Sequence, residues 1–187
     1  FITAKITADV RRSALEMLRC PECAGCLTLC AFDETSEVEE GMLTCDFCDR
    51  WFPIINAIPR LLPDVHIHVV VRYHADFFRR RKIDPDLIIS RSSKAARTGR
   101  LSAESRTVRS YSYQWRKFKE MYPHWERVFL DSIRPITPSF FLGKRGLDAG
   151  CGFGRSLQYA ASYGAEMIGL DLSEAIEAAR DNTRHPS

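Results

Sequence analysis

An α/β chain in three parts is predicted from three observations: two Cys-x-x-Cys pairs near the amino end, a strongly basic middle, and a glycine-spaced turn between two short apolar runs near the carboxyl end. The parts are expected at residues 14–64, 65–138 and 139–187. A content of 45% hydrophobic and 27% charged residues suits folded units rather than a disordered chain.

The first part is read from its cysteines. Cys20-Pro21-Glu22-Cys23 and Cys45-Asp46-Phe47-Cys48 stand 21 residues apart, which is close to the spacing of a four-thiolate zinc ribbon. A segment of roughly 50 residues buries too little apolar surface to fold easily alone, so a metal held by Cys20, Cys23, Cys45 and Cys48 would substitute for a core. Disulfides are the alternative, and iron in a rubredoxin-like site is another. No signal peptide or membrane span is visible, so a reducing, cytoplasmic location is expected. Cys26 and Cys30 are expected to pack rather than ligate, since four thiolates already complete the site.

The middle is read from charge. Residues 1–64 carry six Lys or Arg against eleven Asp or Glu, net −5; residues 65–119 carry fourteen against four, net +10; the remainder carries seven against nine, net −2. Arg79-Arg80-Arg81-Lys82 and the cations from Arg91 to Arg109 suit a solvated linker or an exposed helix that could attract phosphate. No aromatic residue between Phe78 and Tyr111 could stack on a base, so the linker is preferred to a nucleic-acid site. Val65 to Val71 has strand-like content, Tyr73, Phe77 and Phe78 could mark a helical face, and Pro85 interrupts the stretch beyond them. His66, His68 and His74 read as ordinary surface or core histidines. Tyr111, Trp115, Phe118, Tyr122, Trp125, Phe129 and Ile133 recur at three- and four-residue steps as one apolar helical face, divided by Pro123 in the first turn of a second helix.

The third part reads as strand, glycine turn, helix, strand and carboxylate. Leu147 is expected in a short buried strand, while Gly150, Gly152 and Gly154 remove side chains where backbone must approach a ligand. Asp171 comes after the second strand, where a carboxylate could accept hydrogen bonds from both hydroxyls of a ribose. A dinucleotide fingerprint fails at its third glycine, where Arg155 stands. Ser173 is a plausible cap for the helix that opens at Glu174.

The pattern Asp148-x-Gly150-x-Gly152-x-Gly154 resembles the first motif of class I S-adenosylmethionine-dependent methyltransferases. The resemblance implies a Rossmann-like sheet and S-adenosylmethionine as cofactor, bound by Asp148, Gly150, Cys151, Gly152, Gly154, Asp171 and Leu172. In that family the acid matching Asp148 lies near the amino end of the cofactor, the glycine turn passes its amino-acid and ribose parts, and the acid matching Asp171 holds the ribose. Cys151 is most simply a small residue there, with no base beside it to activate a thiol.

Leu15-x-x-Leu18-Arg19-Cys20-Pro21-x-Cys23-x-Gly25-x-Leu27, with the later run Trp51-Phe52-Pro53-Ile54-x-Asn56-x-Ile58-Pro59, is similar to the zinc ribbons of the tRNA-methyltransferase-activator family. Such ribbons occur fused ahead of methyltransferase domains. Ser110-Tyr111-Ser112-Tyr113-Gln114-Trp115 with Tyr122-Pro123-x-Trp125 resembles the helices that precede the catalytic sheet in such fusions and help cover the cofactor.

The expected fold is therefore a small zinc ribbon, a helical connector, and the truncated start of a methyltransferase sheet, since only about 47 residues run from Phe141 onward and a parallel sheet needs more βα units to cover it. The expected activity is methyl transfer by the full-length protein to a small-molecule or carrier-linked acceptor. An RNA-modifying enzyme and a zinc-ribbon adaptor without catalysis are the rival readings. No catalytic base is assigned, and the fragment alone is expected to be inactive.

Overall fold

A computed structural model describes residues 4–6, 17–63, 66–90, 112–115 and 117–183. They divide into two compact units. The boundary falls between Arg106 and Thr107, and the short segment from Ala4 to Ala8 belongs to the second unit.

The first unit is built on an antiparallel sheet of β2 (Leu27–Glu34), β3 (Val38–Cys45), β4 (Trp51–Ile55) and β5 (Ile58–Pro59), in that order. β3 lies between two neighbours and is buried along most of its length, whereas edge strand β2 is partly exposed throughout. Asn56 and Ala57 join β4 to β5 with φ of 53° and 52°, the left-handed pair that a two-residue hairpin demands. Leu43, Phe52, Ile54, Ile58 and Leu61 are among the fully buried side chains of this unit, and Leu43 pairs with Phe52 across β3 and β4.

The ambiguous stretch after the ribbon is helical. α1 (Ile67–Tyr73) and α2 (Ala75–Arg81) meet at His74, and α3 (Pro85–Ser90) starts at Pro85 rather than being interrupted by it. Pro suits the first helical position because no hydrogen bond is lost there. Val70, Phe77 and Phe78 are buried; packing turned a β-branched run into helix. His66 is buried, and His68 and His74 are half-buried.

Arg79, Arg80 and Arg81 of the basic run end α2, the helical alternative of the two expected for it. Glu40 on β3, nearly buried, receives Arg80 at 2.9 Å and Arg81 at 2.6 Å, while Arg79 pairs with Asp76 at 2.6 Å. The later cations, from Arg91 to Arg109, lie outside the described residues.

The second unit holds a three-stranded sheet in the order β1 (Ala4–Ile6), β7 (Glu166–Leu170), β6 (Arg145–Ala149). β6 and β7 are parallel, with Asp148 opposite Gly169, and β1 runs antiparallel to β7. α5 (Arg155–Ser162) makes the crossover, and α6 (Ala175–Asn182) comes after β7; both pack on it. Leu147 corrects an expectation: it is 61% exposed, because β6 is an edge strand whose outward face is uncovered among the described residues.

The aromatic stretch also differs from a single helical stripe. A helical turn covers residues 112–115, and α4 (Trp125–Ser132) begins two residues after Pro123, which therefore lies outside the helix. Tyr113 and Phe118 are 67% and 61% exposed, Tyr111 lies outside the described residues, and Phe129 is the stripe's buried residue. Phe129 packs its ring against Phe141, Tyr159 and Tyr163, which fastens α4 to α5.

Candidate functional sites

The four thiolates expected to bind metal come together in the first unit. Their sulfur atoms all lie within 4.8 Å of one another. Cys20 Sγ is 3.6 Å from Cys48 Sγ, and Cys23 Sγ is 3.4 Å from Cys45 Sγ. Four sulfurs about 2.3 Å from one tetrahedral ion would stand about 3.8 Å apart, so the cluster is near the size zinc requires.

Both knuckles are built alike. The fourth residue after the leading cysteine, Ala24 in one and Asp49 in the other, takes a left-handed φ of 58° or 54° and donates its N–H to that cysteine's carbonyl. Gly25 is needed beside them: a Cβ there would stand 3.0 Å from Cys45 Sγ and 3.3 Å from Cys23 Sγ. Burial pushes the Cys20 thiol up to about 12. Burial also acts upward on Cys48, but hydrogen bonds from Arg50 and the neighbouring thiols bring it down to about 6. Cys26 and Cys30 lie outside the cluster, yet they are exposed rather than packed, because they sit at the outer edge of the sheet on and beside β2.

The second site is the turn between β6 and α5. Gly150, Gly152 and Gly154 take φ of 84°, 55° and 87°, a left-handed alternation that side chains resist. The parallel ladder continues into it, since Gly150 and Cys151 both donate their N–H to the Leu170 carbonyl, at 2.6 and 2.9 Å. Gly154 allows close packing on α6: a Cβ would stand 3.0 Å from the Cα of Ala179. Cys151 is buried with its sulfur against Gly169, a packing position. Arg155, which follows the turn, places its guanidinium 4.5 Å from the Trp125 ring centroid.

Asp171, immediately after β7, is engaged by the chain itself. Its Oδ2 accepts the Gly152 N–H at 2.8 Å, and its Oδ1 accepts the N–H and hydroxyl of Ser173 at 2.7 and 2.6 Å. A carboxylate offers about four lone-pair positions, so one remains for a further donor. The Ser173 hydroxyl in turn accepts the Ala175 N–H at 3.2 Å, but α6 begins one residue later than expected, with Glu174 rather than Ser173 at its N-cap. Asp148 is half-buried, and burial together with the charge of Asp171 raises its carboxyl above the usual range. Leu172 is half-buried beside Asp171.

Sequence reasoning did not single out Asn182. Its side-chain amide donates to the Phe153 carbonyl within the glycine turn at 2.9 Å and to the Lys119 carbonyl at 2.8 Å. No local pattern marks such a residue, because both partners are distant in the chain.

Among the described residues no helix is long and apolar enough to cross a membrane. A comparison with curated proteins finds none that matches the chain. Family models match two stretches: residues 11–56 fit that of the Trm112p-like protein, and residues 147–187 fit that of a methyltransferase domain. The first stretch contains all four clustered cysteines, and the second begins in β6 and contains the glycine turn and Asp171. The chain is thus similar to a Trm112p-like zinc ribbon over one stretch and to a methyltransferase domain over the other.

Proposed function

We propose that the protein transfers a methyl group from S-adenosylmethionine, held at the glycine turn by Asp148, Gly150, Cys151, Gly152, Gly154, Asp171 and Leu172. The observation that carries this reading is the turn of three left-handed glycines between two acids, inside the segment that matches a methyltransferase domain. A sulfonium methyl is already activated, so the protein's work is to align donor and acceptor and to exclude water.

The chain's own residues divide that work. The glycines keep the turn open to a ligand, Asp171 braces the turn through Gly152 and retains acceptor capacity for a ribose hydroxyl, and half-buried Asp148 offers a negative charge to a cationic group. Cys20, Cys23, Cys45 and Cys48 would hold a structural zinc that staples the first unit. A cytoplasmic location accords with thiols kept reduced for metal.

The favoured acceptor is a small molecule or carrier-linked metabolite. Commitment of Arg80 and Arg81 to Glu40, and of Arg79 to Asp76, reduces the charge available for an RNA backbone.

Calorimetry of the full-length protein with S-adenosylhomocysteine tests the reading. Asp171→Ala should weaken binding by about 1.5–3 kcal/mol, the scale for a hydrogen bond to a charged group. Unchanged affinity would remove Asp171 from the site, and absence of binding by the unaltered protein would remove the cofactor. Methyl incorporation into RNA, with tight binding retained at physiological salt, would replace the small-molecule acceptor with RNA.

A further inference from the structure

Residues 112–115 and 117–119 are tied to the two ends of α6 within the second unit. The Ser112 hydroxyl, buried, accepts the Glu174 N–H at 3.3 Å just before the helix begins. At the far end the Lys119 carbonyl accepts one N–H of the Asn182 amide. The segment thus runs in the same direction as the helix, start against start and end against end. Between the ties, the Trp115 indole covers the glycine turn: its nitrogen is 3.6 Å from the position a Cβ would take at Gly152, and its ring centroid is 5.1 Å from that of Phe153.

Asn182 is unusual among these contacts because one side chain serves both sides. A carboxamide has two N–H groups in a fixed plane. One goes to Lys119 in the segment and the other to Phe153 in the turn, at 2.8 and 2.9 Å. The segment and the turn are therefore held at a set separation by a single rigid group. The nearby Lys119–Asp181 pair, at 3.6 Å with both side chains more than half exposed, adds little.

We infer that Asn182 is a positioning residue: by bridging Lys119 and Phe153 it holds Trp115 over the glycine turn, and so sets the affinity of the cofactor site without touching the cofactor. This rests on the reading of the turn as that site. Asn182→Asp is nearly isosteric but removes both donors and presents oxygens to two carbonyls, whereas Asn182→Gln keeps both donors on a longer arm.

The test uses full-length protein in two arms. In the first, without cofactor, hydrogen exchange of residues 112–119 should speed up by about tenfold in Asn182→Asp, the factor for losing one ordinary hydrogen bond, with strands β6 and β7 unchanged. In the second, the dissociation constant for S-adenosylhomocysteine should rise by about tenfold, with Asn182→Gln recovering part of the loss. Trp115→Ala should weaken binding similarly, and adding Asn182→Asp to it should cost little more, since both act through one contact.

Unaltered exchange in Asn182→Asp overturns the tether, as do additive effects in the double variant or equal losses in Asp and Gln. Should Asn182→Asp fail to fold, Trp115→Ala alone decides, and unchanged binding there overturns the inference. If the unaltered protein bound no S-adenosylhomocysteine while the exchange arm behaved as expected, the cofactor reading would fail and the tether would stand.

Discussion

Asp148 and Asp171 flank one turn yet have different surroundings. Asp171 has three donors from the chain, whereas Asp148 is raised by burial and by the charge of Asp171 itself. An acid whose folded pKa exceeds its unfolded value makes the native state bind more protons, so stability falls as pH rises from the ordinary aspartate range through the raised value, and stays reduced above it. Asp148→Asn should therefore raise the Tm at neutral pH and leave it unchanged in strong acid, below the ordinary aspartate pKa. Thermal melts across pH check this, and an equal gain at every pH would assign the effect to packing instead. The same substitution should weaken binding of a cationic cofactor, because the charge that destabilises the empty site is the one a cation neutralises.

Helix α6 sets the shape of the turn by close approach. Gly154→Ala would place a methyl 3.0 Å from the Ala179 Cα and 3.1 Å from its Cβ, at a φ of 87°. Left-handed strain alone costs about 1–3 kcal/mol, and the contact adds to it, so chemical denaturation of the second unit should shift by at least that amount. A shift below the measurement error would show that turn and helix can separate freely. In the first unit, α2 depends on Glu40. Burial pushes that carboxyl up, but hydrogen bonds from Arg80 and Arg81 outweigh it and hold it below the usual glutamate range. A depressed acid gives stability that is fully present above its unfolded pKa and is lost as pH falls through the folded value. Acid below the ordinary glutamate range should therefore loosen α2 from β3, seen as faster exchange at Phe77 and Phe78, and Glu40→Ala should produce the same loosening at neutral pH.

The whole molecule is two compact units with separate sources of stability. In the first, four sulfurs converge where β3 ends at Cys45, and metal-binding energy in such a segment is folding energy. Chelation, or replacement of both Cys45 and Cys48 by Ser, should abolish the protection of β2 to β5 while leaving β6, β7, α5 and α6 protected. Hydrogen exchange with parallel metal analysis measures both. A first unit that stayed protected without metal would show that its apolar core suffices, and iron recovered in place of zinc would change the ion without changing the staple.

The features legible in the chain were those written in short spacings. Each Cys-x-x-Cys knuckle and the alternating glycines after Asp148 depend on residues within a few positions of one another, where local geometry leaves few choices. The features decided by the tertiary structure depend on partners far apart in sequence. Glu40 turned a basic run into a docked helix, Asn182 joined Lys119 to Phe153, and the edge position of β6 left Leu147 exposed. Periodicity records which face of an element is apolar but not what lies against it. A β-branched run could therefore be read as strand until Val70, with Phe77 and Phe78 beyond it, was seen buried in helices, and the bonds that Gly152 and Ser173 donate to Asp171 are not written in its position after a strand.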